Sequence, residues 1–159
     1  MGWETILTNQ NLSTYAHSST IELSTLNVLG TSKGEHLSVP SEEINGETFT
    51  PYKLYYLNSN GKFFQTDATT DAEGAKSLIG IATDSNKLLI AGYFATEPFE
   101  ADSGAPLYLD TNAGAISPSA PTWADNAVRI VGYALLTTEE YTVIRFYPDS
   151  VWLELSINI

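Results

Sequence analysis

The chain contains an internal repeat, and this repeat limits the possible folds more than any other feature. Residues 56 to 94 align without a gap on residues 108 to 146, a shift of 52 positions, and ten of the 39 aligned pairs are identical. Roughly two or three identities are expected by chance at average amino-acid usage. Conservative pairs such as Asn58 and Asp110, both suited to turns, add to the correspondence. The constant shift predicts two copies of one unit and outweighs the alternative that two β segments converged on similar compositions.

Each copy has the texture of short β-strands separated by tight turns. Apolar, aromatic and β-branched residues form short runs that end at turn residues, and these runs predict strands at 52–57, 78–82, 88–94 and 141–147. Asn60-Gly61 predicts a type I′ hairpin, and the alternation over 151–157 predicts a final strand. We therefore expect an all-β fold, a compact barrel or sandwich built from the two similar units.

Two glycines at equivalent positions interrupt apolar strands of the repeat. Gly80 and Gly132 lie in Leu-Ile-Gly-Ile and Ile-Val-Gly-Tyr runs. Glycine weakens a strand unless a bulge, a bend or a close backbone approach requires it. Both are predicted to be barrel-corner or close-packing positions.

Residues 1 to 40 have a different composition, rich in Ser, Thr and Asn, and lie outside the repeat. We divide the chain into an N-terminal arm, residues 1–40, and a β-domain, residues 41–159. The arm carries apolar residues beyond what a solvated tail needs, including Trp3, Ile6, Leu7 and Leu12. The order of the arm is expected to depend on a partner.

The charge balance argues against several partners. The chain has 7 Lys and Arg against 19 Asp and Glu, a formal net charge of −12, and the cations are scattered. Nucleic acid and anionic membranes are therefore disfavoured as partners. The absence of cysteine excludes a disulfide framework, and the N-terminus lacks the basic and apolar regions of a secretion signal.

No motif in the sequence predicts catalysis, a metal or a cofactor. His17 and His36 lie among polar residues without the further ligands that zinc requires, and both are interpreted as surface histidines. The adjacent pairs Glu42/Glu43 and Glu139/Glu140 point to opposite faces of a strand and cannot share a substrate. Asp110 begins a segment that a hairpin turn explains better than a calcium loop. We expect a protein that is not an enzyme.

Residues 41 to 155 resemble small β-domains of tailed-bacteriophage virions, particularly capsid decoration (cement) and head-fibre proteins. The resemblance is carried by a strand ending in Leu107-Tyr108-Leu109, a later Val131-Gly132-Tyr133-Ala134-Leu135 strand, and an Ile144-Arg145-Phe146-Tyr147-Pro148 run. The matching segments of the first unit are NGETFTPYKLYYLNSNGKFFQTDA and SLIGIATDS. The arm falls outside the resemblance.

The resemblance implies a structural protein that binds and stabilises the outer surface of a capsid. Its partner would be the major capsid protein or another virion protein, it would form homo-oligomers with a trimer favoured, and it would reach the virion after synthesis in the host cytoplasm. Under this reading Trp3, Ile6, Leu7 and Leu12 are expected to contact the shell or sister subunits.

Two alternatives remain open at this point. The chain could be a tail or head-fibre component that recognises a host glycan through Trp123, an aromatic residue in a Pro- and Ala-rich loop. A glycan-degrading enzyme would need inward-facing carboxylates a catalytic distance apart, and the repeat keeps no such pair.

Overall fold

A computed structural model describes residues 20–66, 68, 77–122 and 126–155, and over these residues the fold is all-β, as the sequence predicts. The regular structure is eleven strands and two short 3₁₀ turns, Leu23–Thr25 and Ser41–Glu43. No helix in this part of the chain is long and apolar enough to cross a membrane. The strands are β1 (Ser32–Ser38), β2 (Leu54–Leu57), β3 (Phe63–Gln65), β4 (Ile79–Asp84), β5 (Lys87–Thr96), β6 (Pro106–Leu109), β7 (Ile116–Ser117), β8 (Ala127–Val128), β9 (Ile130–Thr137), β10 (Thr142–Phe146) and β11 (Leu153–Glu154).

One large sheet, curled into a half-barrel, organises these strands. Its strands follow the order β3-β2-β4-β5-β10-β9-β6-β7, and β1 pairs with β5 outside this path. The neighbouring strands with paired residues are antiparallel. A second, two-stranded sheet joins β8 to β11 near the C-terminus.

The two repeat units have the same strand pairings. In the first unit β2 pairs with β3 and β4, and β4 pairs with β5; in the second unit β6 pairs with β7 and β9, and β9 pairs with β10. Part of the register also repeats, since Tyr55 lies opposite Gly80 and Leu107 lies opposite Gly132. The turns differ, with two residues between β4 and β5 and a longer loop between β9 and β10.

The two units join through β5 and β10 about an approximate twofold axis. Tyr93 lies opposite Arg145, and Arg145 is the residue that corresponds to Tyr93 under the 52-residue shift. On either side of this pair, Phe94 lies opposite Ile144 and Gly92 lies opposite Phe146. Because Phe94 and Phe146 are counterparts in the two units, the approximate twofold axis relates these two pairs to each other. The order of the large sheet is consequently nearly palindromic.

Part of the predicted arm belongs to the sheet. β1 follows β5 from Lys87 to Phe94, along the residues that β5 also uses to pair with β4 and β10. Leu88, for example, has Ala82 on one side and Leu37 on the other. Leu26 is buried as well, beside Ala95. The second half of the arm therefore spans both units, while residues 1–19 lie outside the described residues.

The main core draws on both units, so the two units share one hydrophobic cluster. It includes the counterparts Ile79 with Val131 and Phe94 with Phe146, all at most 1% exposed. A second cluster, around Phe49, Tyr55 and Phe63, lies under the first unit.

The predicted type I′ turn at Asn60-Gly61 is wrong. That turn requires positive φ at both central residues, and positive φ occurs at Gly61 (80°) but not at Asn60. The Asn58 side chain instead accepts hydrogen bonds from the backbone N–H groups of Asn60 and Lys62, at 3.0 and 2.9 Å. A five-residue connection results, closed by an asparagine side chain.

Candidate functional site

A row of polar and aromatic side chains crosses the large sheet in register. Lys33 on β1 lies opposite Tyr93, Tyr93 lies opposite Arg145, and Arg145 lies opposite Tyr133. Directly opposite residues share one face of a sheet, so these four side chains project from the same face. Neighbouring strands are about 4.8 Å apart, which makes this aromatic row about 14 Å long. Lys33 and Arg145 are exposed, Tyr133 is 38% exposed and Tyr93 is half-buried.

Tyr147 extends the aromatic row along β10. Tyr147 lies two residues after Arg145, so the two side chains project from the same face of the sheet. Tyr147 is 55% exposed. The guanidinium carbon of Arg145 lies 5.3 Å from the centroid of the Tyr147 ring, within cation–π range. Arg145 therefore has aromatic neighbours across both adjacent strands and along its own.

A cavity of about 360 Å³ opens beside Tyr147, where the start of β4 approaches the end of β10. We call it the seam cavity because both repeat units contribute to its wall. Its polar lining includes Glu35, Arg129, Asp149 and Ser150, and its apolar lining includes Leu78 and Ile90.

Arg129 holds the wall of the seam cavity together. The side chain is only 6% exposed, and its Nε donates to the carbonyl oxygen of Asp149 at 2.8 Å while Nη1 donates to that of Ser77 at 2.6 Å. Ser77 is the position equivalent to Arg129 in the first unit. Burial lowers the pKa of the Arg129 guanidinium below its ordinary value, and the negative charge of Asp149 acts in the opposite direction. Arginine nonetheless keeps its charge at neutral pH, so the tie between the units persists.

Large apolar side chains are exposed along the segment that follows β10. Tyr147, Val151, Trp152 and Leu153 are 55%, 73%, 38% and 62% exposed. We call these four residues the apolar strip. Leu78, 44% exposed, adjoins it at the seam cavity. Successive residues of an extended segment point to opposite sides, so Val151 and Leu153 project from one side and Trp152 from the other. Large apolar side chains exposed together along one segment are typical of a contact surface.

The structure also brings a hydroxyl and an imidazole together on β1. The Oγ of Ser32 lies 2.9 Å from Nε2 of His36, and Nδ1 of His36 lies 3.2 Å from the carbonyl oxygen of Gly34. Both distances fit a ring that is protonated on Nδ1 and accepts a hydrogen bond from Ser32. A backbone carbonyl takes the place of the carboxylate that orients the histidine of a hydrolytic triad. His36 is exposed, as expected of a surface histidine, whereas His17 lies outside the described residues.

Among the residues that the structure describes, no three His, Asp or Glu side chains lie close enough together to hold a metal ion. Neither glutamate pair lies on a strand, because Glu42 and Glu43 belong to a 3₁₀ turn and Glu139 and Glu140 lie in the loop between β9 and β10; all four are exposed. Asp110 accepts a hydrogen bond from the backbone N–H of Asn112 at 3.3 Å, as a turn residue does.

The sequence-predicted contact residues fall outside the described part of the chain. This holds for Trp3, Ile6, Leu7, Leu12 and Trp123, whose predicted roles stay predictions. Gly80 and Gly132 lie at equivalent register positions against neighbouring strands. A Cβ at Gly132 would be 2.1 Å from the Arg145 carbonyl oxygen, and one at Gly80 would be 3.1 Å from Leu88 Cβ and Ile90 Cδ1. Both glycines thus lie in close backbone or side-chain contact.

The aromatic row and the apolar strip could not be read from the sequence as sites. Arg145 and Tyr147 were visible as part of a strand, but Lys33, Tyr93 and Tyr133 join them only through the register of four strands. The alternation in Val151-Trp152-Leu153 indicated a strand, of which the structure retains Leu153–Glu154, and it gave no sign that both faces would be exposed.

Comparisons with known proteins identify no relative of this chain. No family model matches the sequence, no curated protein matches it, and no solved structure matches the fold.

Proposed function

We propose that this protein is a structural component of a bacteriophage virion that binds the outer surface of the capsid and stabilises it. The observation that carries the proposal is the apolar strip, four large side chains exposed on a β body with a shared core. The resemblance of residues 41–155 to decoration and head-fibre domains supplies the setting. The protein acts in this proposal by binding and without catalysis, with the major capsid protein or another virion protein as its partner.

The strip is suited to this role on energetic grounds. Burying apolar surface contributes about 25 cal/mol per Å², and a stable interface covers about 800 Å² on each partner. Val151 and Leu153 are the two members with the largest exposed fractions, at 73% and 62%, and both side chains are aliphatic. Repeated copies on a symmetric shell add avidity, and the expected trimer would present three strips at once.

The N-terminal arm is the second proposed contact. Trp3, Ile6, Leu7 and Leu12 supply apolar groups to a segment that is otherwise polar. Residue 20, where the described part of the chain begins, leads into the buried Leu26 and then into β1. The arm is therefore anchored to the body at a defined point.

The double variant V151S/L153S is expected to lower occupancy on particles, with an affinity on the order of 100-fold weaker. Losing about 1.5 kcal/mol or more of apolar burial at each position accounts for that factor. L23S/V28S is the matched control, because Leu23 and Val28 are 49% and 61% exposed and lie away from the strip. Copy number per particle, measured by quantitative mass spectrometry and particle reconstruction, is the readout.

Full occupancy of V151S/L153S would remove the strip from the interface. The same assay on a chain lacking residues 2–15 tests the arm, since unchanged occupancy would exclude it as a docking segment. A copy number that follows the symmetry of the shell supports decoration, whereas a few copies at one vertex or on the tail would contradict it.

The aromatic row favours a second candidate function, recognition of a host glycan by a tail or head-fibre component. Tyr93, Tyr133 and Tyr147 offer ring faces around Arg145, and the seam cavity adds carboxylates at Glu35 and Asp149. Sugar rings stack on aromatic faces, and carboxylates accept hydrogen bonds from their hydroxyls. A neutral glycan is the best match, because the net charge of −12 repels an anionic one.

Tyr147→Ala is expected to weaken binding of a neutral glycan by up to about 10-fold, since stacking contributes about 0.5–1.5 kcal/mol. A glycan array identifies the ligand, and calorimetry then compares the variant with Tyr141→Ala, a tyrosine away from the cavity. Trp123→Ala tests the loop residue in parallel. Equal affinity of Tyr147→Ala and the unmodified chain would reject the seam cavity and its rim as a glycan site.

A further inference from the structure

One edge of β1 is open among the residues that the structure describes. β1 pairs with β5 along its length, and no other described strand pairs with it. Its seven residues are exposed except for the half-buried Ser32. An open edge presents N–H and C=O groups, which can form a ladder with another strand. The Gly34 carbonyl oxygen lies 3.2 Å from His36 Nδ1 and keeps a second lone pair for such a ladder.

Charged residues usually protect such an edge, but those of β1 are complementary to themselves. Lys33 and Glu35 flank Gly34 at equal distances along the strand. In an antiparallel pairing of two copies with Gly34 opposite Gly34, Lys33 of each copy lies opposite Glu35 of the other. Ser32 likewise lies opposite His36. Every charge on the edge then faces its opposite, and opposite charges stabilise cross-strand pairs.

The geometry of β1 suits this pairing. The ladder between β1 and β5 is irregular after Glu35, and the extra residue, Ile90, is on β5. β1 itself has no extra residue and keeps its alternation, with a positive φ of 139° at Gly34 that its lack of a side chain permits. Within the described residues Lys33 and Glu35 form no ion pair with one another or with a neighbour, since the ion pair found there joins Lys87 to Asp84.

We propose that two copies of this chain pair through β1, antiparallel about Gly34, so that their large sheets become continuous. The contact is isologous and uses one surface on both copies. It goes beyond capsid binding, and it is compatible with the expected trimer because it can join chains of neighbouring trimers. The aromatic rows of the two copies would then meet at their Lys33 ends.

Exchanging the charges tests the pairing on the full-length chain in solution, without a virion. K33E places Glu opposite Glu and E35K places Lys opposite Lys, each at two symmetric positions of the pair. Each single variant is expected to weaken self-association about 10-fold, and K33E/E35K is expected to restore it, because the opposite charges return in exchanged positions. Sedimentation equilibrium measures the association constant, and circular dichroism verifies the fold of each variant.

Two controls separate local pairing from net charge. K62E changes the net charge from −12 to −14 as K33E does, and E42K changes it to −10 as E35K does, both at exposed residues outside β1. Neither is expected to change association. A restored double variant supports the pairing, while a double variant as weak as the singles would refute it.

The full-length chain remaining unassociated at millimolar concentration would also overturn the proposal. If a chain lacking residues 2–15 then associated, the result would indicate that this segment covers the edge of β1 within one chain. None of these outcomes depends on capsid binding, so failure of the pairing and failure of the proposed function are distinguished by separate measurements.

Discussion

Replacing Gly132 by alanine is expected to destabilise the fold by about 3 kcal/mol. The new Cβ would lie 2.1 Å from the carbonyl oxygen of Arg145, an atom of the neighbouring strand backbone. Real Cβ contacts do not come this close, and a backbone atom cannot move aside as a side-chain end can. β9 and β10 would have to separate at the pair Gly132 and Phe146. Urea denaturation followed by tryptophan fluorescence gives the free energy of unfolding.

Gly80→Ala is the matched control, because Gly80 is the equivalent position of the first unit. An added Cβ there would be 3.1 Å from Leu88 Cβ and Ile90 Cδ1 and 3.2 Å from the Leu89 carbonyl oxygen. Small shifts of a few tenths of an ångström relieve such contacts, so a cost of about 1 kcal/mol is expected. A larger loss of stability for Gly80→Ala than for Gly132→Ala would show that the close approach of β9 and β10 does not determine the cost of a side chain at residue 132.

The strands of the repeat were predictable because their local pattern and their tertiary environment agree. β4 and β5 have apolar runs bounded by turn residues, and the structure buries four of the six residues of β4 and five of the ten residues of β5. The 52-residue shift also predicted equivalent turns. Asn58 and Asp110 each accept backbone hydrogen bonds through the side chain, in the first and second unit respectively. The local sequence is sufficient to predict the structure where the same residues determine both a turn and the strand beside it.

β1 was not predictable because no residue in it is buried. Its sequence, Ser-Lys-Gly-Glu-His-Leu-Ser, has no apolar face to read, and it is held through backbone pairing with β5. Gly34 lies opposite Gly92, and a Cβ on either would be within 2.3 Å of the other strand's backbone. The signal for β1 was therefore a pair of glycines that are 58 residues apart in the chain.

The candidate surfaces were hidden for a related reason. The aromatic row requires Lys33, Tyr93, Arg145 and Tyr133 to share one register, and irregularities at Glu35/His36 and Val143/Ile144 shift that register. Bulges of this kind arise from the packing of distant segments, so local periodicity does not encode them. The sequence supported the class of fold and the repeat, while the sites depend on how the strands are aligned.

Truncating Phe146 to alanine is expected to destabilise the fold by about 4 kcal/mol, since Phe→Ala substitutions in cores cost about 3–5 kcal/mol. Phe146 is fully buried and lies opposite Gly92 on β5 and Gly132 on β9. With glycine on both sides, no directly opposite side chain can move into the space that the ring leaves. Removal of the ring would therefore leave a cavity beside two residues that have no side chain to fill it.

Phe146→Leu is the control that keeps apolar volume, and it is expected to cost about 1.5 kcal/mol. Phe94→Ala at the counterpart position is expected to cost no more than Phe146→Ala, because Ile144 lies opposite Phe94 and Tyr52 stacks on it at 5.6 Å. These neighbours can relax into the space. Equal losses for Phe146→Ala and Phe146→Leu would contradict the argument that apolar volume beside the two glycines determines the cost. The largest loss of stability is instead expected for Phe146→Ala, at the junction of the two units. A loss of packing there would separate β10 from β5 and disrupt the aromatic row that crosses these strands.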